Sequence, residues 1–309
     1  MASTILNQTL IMLILIGIGV ICAKTKLISE ASNKDLSKFV LQVVNPVVIF
    51  MSYQKPYKAE LAKNLLLTFV ISVAAMAGLI ILSYVFVRRK DKREFEIERF
   101  SSVYSNCGFM GIPLVSALFG DEGVFYLTAF ITVFNLIVWT HGVILISGEK
   151  DFKQVVKVFY SPTIISIILG LITFFFEIRI PDTAASALGF IKDVNTPMAM
   201  IVSGVTMAGT NVPKLLKNYR VYYVCFLKLL VMPLILAVPL ALVGVLDSKV
   251  GMTVLVAASA PPAAMCTLLS IRYGKNSIYA SEIFTAGTIL SVGTLPLVVK
   301  TTEYLTKII

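Results

Sequence analysis

Two stretches decide how this chain is read: Ser105-Asn106-Cys107-Gly108-Phe109-Met110-Gly111-Ile112-Pro113 and Ser259-Ala260-Pro261-Pro262-Ala263-Ala264. Each interrupts an apolar run with glycine or proline. Proline removes a backbone donor and clashes with the preceding turn, so Gly108, Gly111 and Pro113 in one run, and tandem Pro261-Pro262 in the other, predict locally unwound helices. In hydrocarbon every freed backbone group costs several kcal/mol unless protein or cavity water satisfies it. Such interruptions are either ordinary proline kinks or the lining of a site, and their pairing favours the site.

The pairing is positional. A shift of 154 residues lays Gly120 on Gly274 and Asn106 on Ala260, and Gly17 meets Gly170 at 153. Asn45-Pro46 falls near Thr196-Pro197 at 151. The chain thus reads as two repeats, residues 1–147 and 160–309, joined by a short cytoplasmic linker at 148–159.

Around these stretches the chain is 57% hydrophobic and only 14% charged, with a mean hydropathy of +0.88. A soluble domain carries roughly a quarter of its residues charged, so the lipid bilayer is the expected solvent. Apolar runs place ten spans near 5–23, 35–53, 63–87, 99–119, 122–147, 160–178, 185–208, 219–246, 250–271 and 277–299. Five spans per repeat is an odd number, so the second repeat is inverted relative to the first. The fold class expected is an all-α membrane protein of two inverted five-helix repeats, with broken helices four and nine.

With both termini outside, eighteen of the 27 basic residues fall in inside segments, eight in outside segments, and Lys228 within a span. That split supports an even number of spans. The net charge of +10 is accordingly read as cytoplasmic anchoring in an inner membrane, not as nucleic-acid binding. The run from Arg88 to Arg99, with Asp91, Glu94, Glu96 and Glu98 interleaved, reads as a solvated connector and orientation signal, with an interfacial helix as the alternative. Cys22, Cys107, Cys225 and Cys266 lie in apolar stretches without metal-like spacing, so no disulfide, metal or cofactor is expected.

At the crossing of two broken helices, half-helix N-termini present unpaired N–H groups and partial positive charge, which suits an anion. No acidic residue lies near either interruption in the sequence.

The segment Asn106 to Leu114, and the stretch from Ala260-Pro261-Pro262-Ala263 to Tyr273-Gly274, resemble the auxin efflux carrier family, which includes bacterial malate and malonate permeases. The similarity in span number and spacing covers the whole chain. It implies helices four and nine crossing at a midplane substrate site, as in sodium/proton antiporter-like and bile-acid-transporter-like folds, and an elevator motion of a transport domain against a scaffold. Asn106 occupies the family's binding-asparagine position, so Asn106, Cys107, Gly108, Ala260, Pro261, Pro262 and Ala263 become the expected substrate contacts. The resemblance also implies a homodimer. The family's more distant plant auxin exporters have a second asparagine serving helix nine, which has no counterpart here, and this counts against auxin itself.

Other polar residues have two readings each. Asn106 can donate to a carboxylate or cap the broken span. Asn45-Pro46 and Thr196-Pro197 support a kink or touch a ligand. Lys228 is a coupling group or snorkels to water. Glu282 accepts a coupling proton or forms a surface ion pair with Arg272 or Lys275, the pair being favoured. His141 is a proton relay or an interfacial histidine, the latter favoured. A membrane protease would need paired intramembrane aspartates or a serine with its base, and neither pattern occurs. The expected function is secondary transport of a small mono- or dicarboxylate, with coupling to H+ or Na+ left open. A sodium or proton exchanger of the same plan, or a sensor on a carrier fold, is the alternative.

Overall fold

The computed structural model describes residues 1–88, 94–148 and 159–308. All described secondary structure is helical apart from one two-residue bridge. In chain order the helices are α1 (Ala2–Lys24), α2 (Glu30–Phe39), α3 (Asn45–Ser52), α4 (Ala59–Phe86), α5 (Phe95–Val103), α6 (Ile112–Ile137), α7 (Val143–Ser147) and α8 (Pro162–Phe175). They continue with α9 (Asp182–Asp193), α10 (Asn195–Ala208), α11 (Val212–Lys217), α12 (Tyr219–Phe226), α13 (Met232–Leu242), α14 (Lys249–Ser259), α15 (Met265–Arg272) and α16 (Ser277–Ile308). Helix therefore occupies all ten apolar stretches. Among the described residues six helical runs are long and apolar enough to cross a membrane, while Pro162–Phe175 and Lys249–Ser259 are shorter apolar helices. The linker at 149–158 and the basic run at 89–93 lie outside the described residues.

Three prolines explain three distortions. Pro46, Pro113 and Pro233 would each collide with the carbonyl four residues back, on Gln42, Phe109 and Leu229. Each of those residues lies in a single π-helical turn: Val40–Val44, Cys107–Gly111 and Leu227–Val231. Widening the turn removes the clash and keeps the helix continuous. Asn45-Pro46 is thus a bulge in an unbroken helix. Gly108, Gly111 and Pro113 are helical as well, and the true break in this arm lies just before them, at Tyr104–Asn106. The second arm breaks where expected, at Ala260–Ala264.

Two glycines close these arms. Gly120 takes φ 58° and ψ −148° and bends the helical run Cys107–Ser147 in two; Gly274 takes φ 63° at the end of α15. Both are conformations that L side chains rarely adopt. Gly120 and Gly274, which the 154-residue shift aligns, both take positive φ.

Helix α1 packs closely on α10. A Cβ on Gly19 would meet the Ile201 carbonyl oxygen at 2.2 Å, and one on Gly204 would meet the Ile16 oxygen at 2.1 Å. Small residues allow this approach, the usual means by which membrane helices associate. At one end of the molecule the α-amino group of Met1 pairs with Glu303 at 3.2 Å. Lys192 reaches Asp121 and Lys249 reaches Glu122, both at 2.6 Å, and the 241–247 segment lies beside Thr306 at that same end. These segments converge, and the two termini lie at the same end.

Candidate functional site

The two breaks meet. Asn106 N–H donates to the Pro261 carbonyl at 2.7 Å and Ala263 N–H donates to the Tyr104 carbonyl at 2.9 Å, forming an isolated antiparallel bridge between Ser105 and Pro262. Tandem proline keeps the second strand-like segment extended and donor-free. The bridge satisfies backbone groups that would otherwise be costly in an apolar interior. Pro262 packs so tightly on α16 that a Cβ on Gly287 would stand 2.4 Å from its Cδ.

Lys228 lies beside this bridge, on the π turn that Pro233 induces. It is fully buried and does not snorkel. Its Nζ donates to the Val103 carbonyl at 3.0 Å, the Ser105 Oγ at 2.6 Å and the Ala258 carbonyl at 3.0 Å. Ser105 Oγ in turn donates to the Ala258 carbonyl at 2.9 Å. One ammonium thus joins the C-terminal ends of both half-helices, α5 and α14.

On the other side of the break, the turn Cys107–Gly111 opens a helix whose first N–H groups have no intrahelical acceptor. The Asn106 side chain does not cap it. Its Nδ2 is buried and has no hydrogen-bond partner among the described residues. Gly108 is the one residue between 101 and 115 that is not buried. A Cβ there would stand 3.4 Å from Asn45 Nδ2, and Asn45 Oδ1 accepts from Asn195 Nδ2 at 3.2 Å. The Asn45-Pro46 and Asn195-Thr196-Pro197 motifs are therefore brought together, through the residue before Thr196, against the turn that follows Asn106. Asn195 Oδ1 also lacks a partner among the described residues.

Two expectations need correcting. Glu282 is 1% exposed and forms no surface ion pair with Arg272 or Lys275. Lys275 lies 3.9 Å from Glu96, and Glu282 Oε2 accepts from Asn218 Nδ2 at 3.3 Å. Nor is the connector wholly solvated. Glu98 sits on the half-helix α5, is fully buried, pairs with Arg220 and accepts from Tyr279 Oη at 2.8 Å. A carboxylate does approach the first break, but it is neutralised. Glu98 and Ser105 were missed as contributors; the sequence signal was an acid amid apolar residues in Ile97-Glu98-Arg99-Phe100, and a hydroxyl at the start of the quoted stretch.

His141 is partly buried, with Nδ1 2.8 Å from Tyr104 Oη and Nε2 3.4 Å from Tyr84 Oη. A cavity of about 550 Å³ lies at the far end of the 112–119 segment from the bridge, lined by Lys55, Lys58, Glu60, Asp121, Tyr126 and Lys249 among others. Lys55, in the loop between α3 and α4, donates to the Asp121 carbonyl at 3.2 Å. Burial lowers its pKa from the ordinary 10.5 to about 8, against the raising influence of Asp121 and Glu122.

A helical bundle built from long apolar spans, with two interrupted helices joined at their breaks, has the form of a membrane transporter. Comparison with known proteins agrees. The membrane transport protein family matches residues 4–156 and 150–299, and this chain belongs to that family, the auxin efflux carrier family. It is 25% identical over 305 residues to an "Uncharacterized transporter" of Methanothermobacter thermautotrophicus, covering 94% of this chain and 96% of that one. It is 23% identical to a protein of Rhizobium meliloti described as "Putative malonate transporter", covering 84% of each chain. An "Uncharacterized transporter YfdV" of Escherichia coli is 22% identical, over 88% of this chain and 90% of its own.

Proposed function

We propose that this protein is a secondary carrier of a small organic anion, a mono- or dicarboxylate of malonate or malate size, that binds beside the Tyr104–Asn106 break. The observation that carries this is the buried, unpartnered Asn106 amide at the start of a half-helix. A donor already desolvated and left unpaired gains most from a charged acceptor, and the adjoining N–H groups and helix dipole favour negative charge. Gly108 brings the Asn45–Asn195 pair against the same turn, so further amides stand close to this donor. The Rhizobium meliloti relative's description is consistent with a dicarboxylate.

In this reading the ten helical stretches are ten spans in two inverted repeats. Helices α1, α3, α8 and α10 form a scaffold, and the bridge with its surrounding helices moves against it in an elevator motion. The chain resides in a bacterial inner membrane as a homodimer with both termini outside. Buried Glu282, whose Oε1 has no partner among the described residues, favours a proton as the coupling ion. Reconstitution in liposomes tests the reading. Saturable uptake of malonate, malate or indole-3-acetate that falls at least tenfold in Asn106→Ala is expected. Folded protein that moves none of these under any ion gradient overturns it.

A further inference from the structure

Cation-coupled carriers with broken helices commonly hold the ion on unwound carbonyls and half-helix C-terminal ends. Here α5 and α14 bring two such ends together. Each carries about half a negative charge from its unpaired carbonyls, so the two ends together match one monovalent cation. Val103 O, Ser105 Oγ and Ala258 O form an oxygen cage at 2.6–3.0 Å around the Lys228 ammonium, and the cage uses all three of its donors.

An ammonium buried this completely normally pairs with a carboxylate, because an uncompensated charge in a low-dielectric interior costs several kcal/mol. Among the described residues no carboxylate oxygen lies within ion-pairing distance of it; Glu98 pairs with Arg220. Its hydrogen-bond partners are two helix-end carbonyls and one hydroxyl. Such a cage is the coordination shell of a small cation with the cation covalently supplied. The π turn Leu227–Val231 provides the local backbone displacement at this residue, and Ser105 bonds both Lys228 and Ala258.

We propose that Lys228 is a built-in cation. Its ammonium occupies the position between the two half-helix C-termini that a coupling sodium ion would fill, so the carrier works without sodium. Removing the ammonium would then open a site for a small monovalent cation. Lys228 is a positioning residue in this scheme: it holds the two breaks in register and does not touch the anion. The role deepens the carrier reading, yet its first test needs no substrate.

Purified wild type, Lys228→Ala and Lys228→Ser are melted in choline, sodium, lithium and ammonium chloride at matched ionic strength. The wild type is expected to melt alike in all four. Both variants are expected to melt lower in choline and to recover in a small cation, by about 5 °C at 100 times the dissociation constant. In liposomes, malonate uptake by wild type is expected to be unchanged when choline replaces sodium, while uptake by Lys228→Ser becomes at least tenfold sodium-dependent. A wild type stabilised or activated by sodium overturns the proposal, as do variants equally impaired in every salt or unfolded in every salt. If no form transports malonate, the substrate reading fails and the melting result still decides the role of Lys228.

Discussion

Asn106 and Pro261 are joined by a backbone hydrogen bond of 2.7 Å across the meeting point of two interrupted helices. The bond occupies the Asn106 main chain and leaves its side chain unengaged. The main chain fastens the bridge, while the side-chain Nδ2 has no partner among the described residues; the proposed function assigns that amide to the ligand.

That separation makes Asn106→Ala diagnostic. Since Nδ2 has no partner among the described residues, its removal should cost less than about 1 kcal/mol of stability, which is the size of one ordinary hydrogen bond. Uptake of the anion should fall at least tenfold. Asn106→Asp should fall further, because a carboxylate there repels the ligand. Melting curves alongside initial uptake rates check both halves, and a variant that loses stability and uptake in proportion refutes the separation.

Much of this was legible in the sequence because proline and glycine leave a chemical mark. Pro261 and Pro262 lack donors wherever they stand, and the break at 260–264 follows. Hydropathy placed the helices for the same local reason. The first break was displaced by several residues, because Pro113 is accommodated by a π turn, and the chain instead opens at Tyr104–Asn106, where Pro261 supplies an acceptor. Lys228 and Glu98 were not legible in their roles. Their partners are Val103, Ser105 and Ala258 for one and Arg220 and Tyr279 for the other, which only the folded chain brings together. Glu282 was misread as a surface residue because hydropathy near a span end does not reveal that Asn218 covers it.

The Glu98–Arg220 pair should behave as a buried pair despite its sequence setting in a charged run. The Glu98 side chain is 0% exposed and that of Arg220 22%. Arg220→Ala removes the cation from a buried carboxylate that Tyr279 also holds, and should destabilise by about 3 kcal/mol. Glu98→Gln in the same background should recover part of that loss. A double-mutant cycle from thermal or denaturant unfolding in detergent measures the coupling, and additivity of the two changes would contradict the pairing.

Gly120 isolates backbone strain from packing. Nothing lies within 4 Å of a Cβ built there, while φ is +58° and ψ −148°, a region essentially confined to glycine. Gly120→Ala should therefore lower stability by about 1–3 kcal/mol through strain alone. Gly274→Ala, also with open space and φ +63°, should be destabilising in the same way. By contrast, Gly189→Ala, with the same open space and no positive φ, should be close to neutral. Melting temperatures of the three variants check the ranking.

Lys55 sets a pH dependence at the other end of the carrier. Its amine titrates near pH 8 because burial disfavours the ammonium. The cavity it lines holds Lys58 and Lys249 together with the carboxylates of Glu60, Asp121 and Glu122, so the Lys55 charge decides its balance; in the proposed reading an anion approaches from that side. Below about pH 8 the group is protonated and attracts the substrate; above it the charge is lost. The KM for malonate should therefore rise as external pH passes from 7 to 9, with kcat changing little, since the bridge lies far from the cavity. Lys55→Arg keeps its charge throughout this range and should flatten the profile, whereas Lys55→Gln should show the high KM at every pH. Initial-rate uptake across that pH series, at fixed internal pH, distinguishes these outcomes. A wild-type KM that stays level from pH 7 to 9 would remove Lys55 from the approach path and leave the Asn106 site to capture its anion unaided.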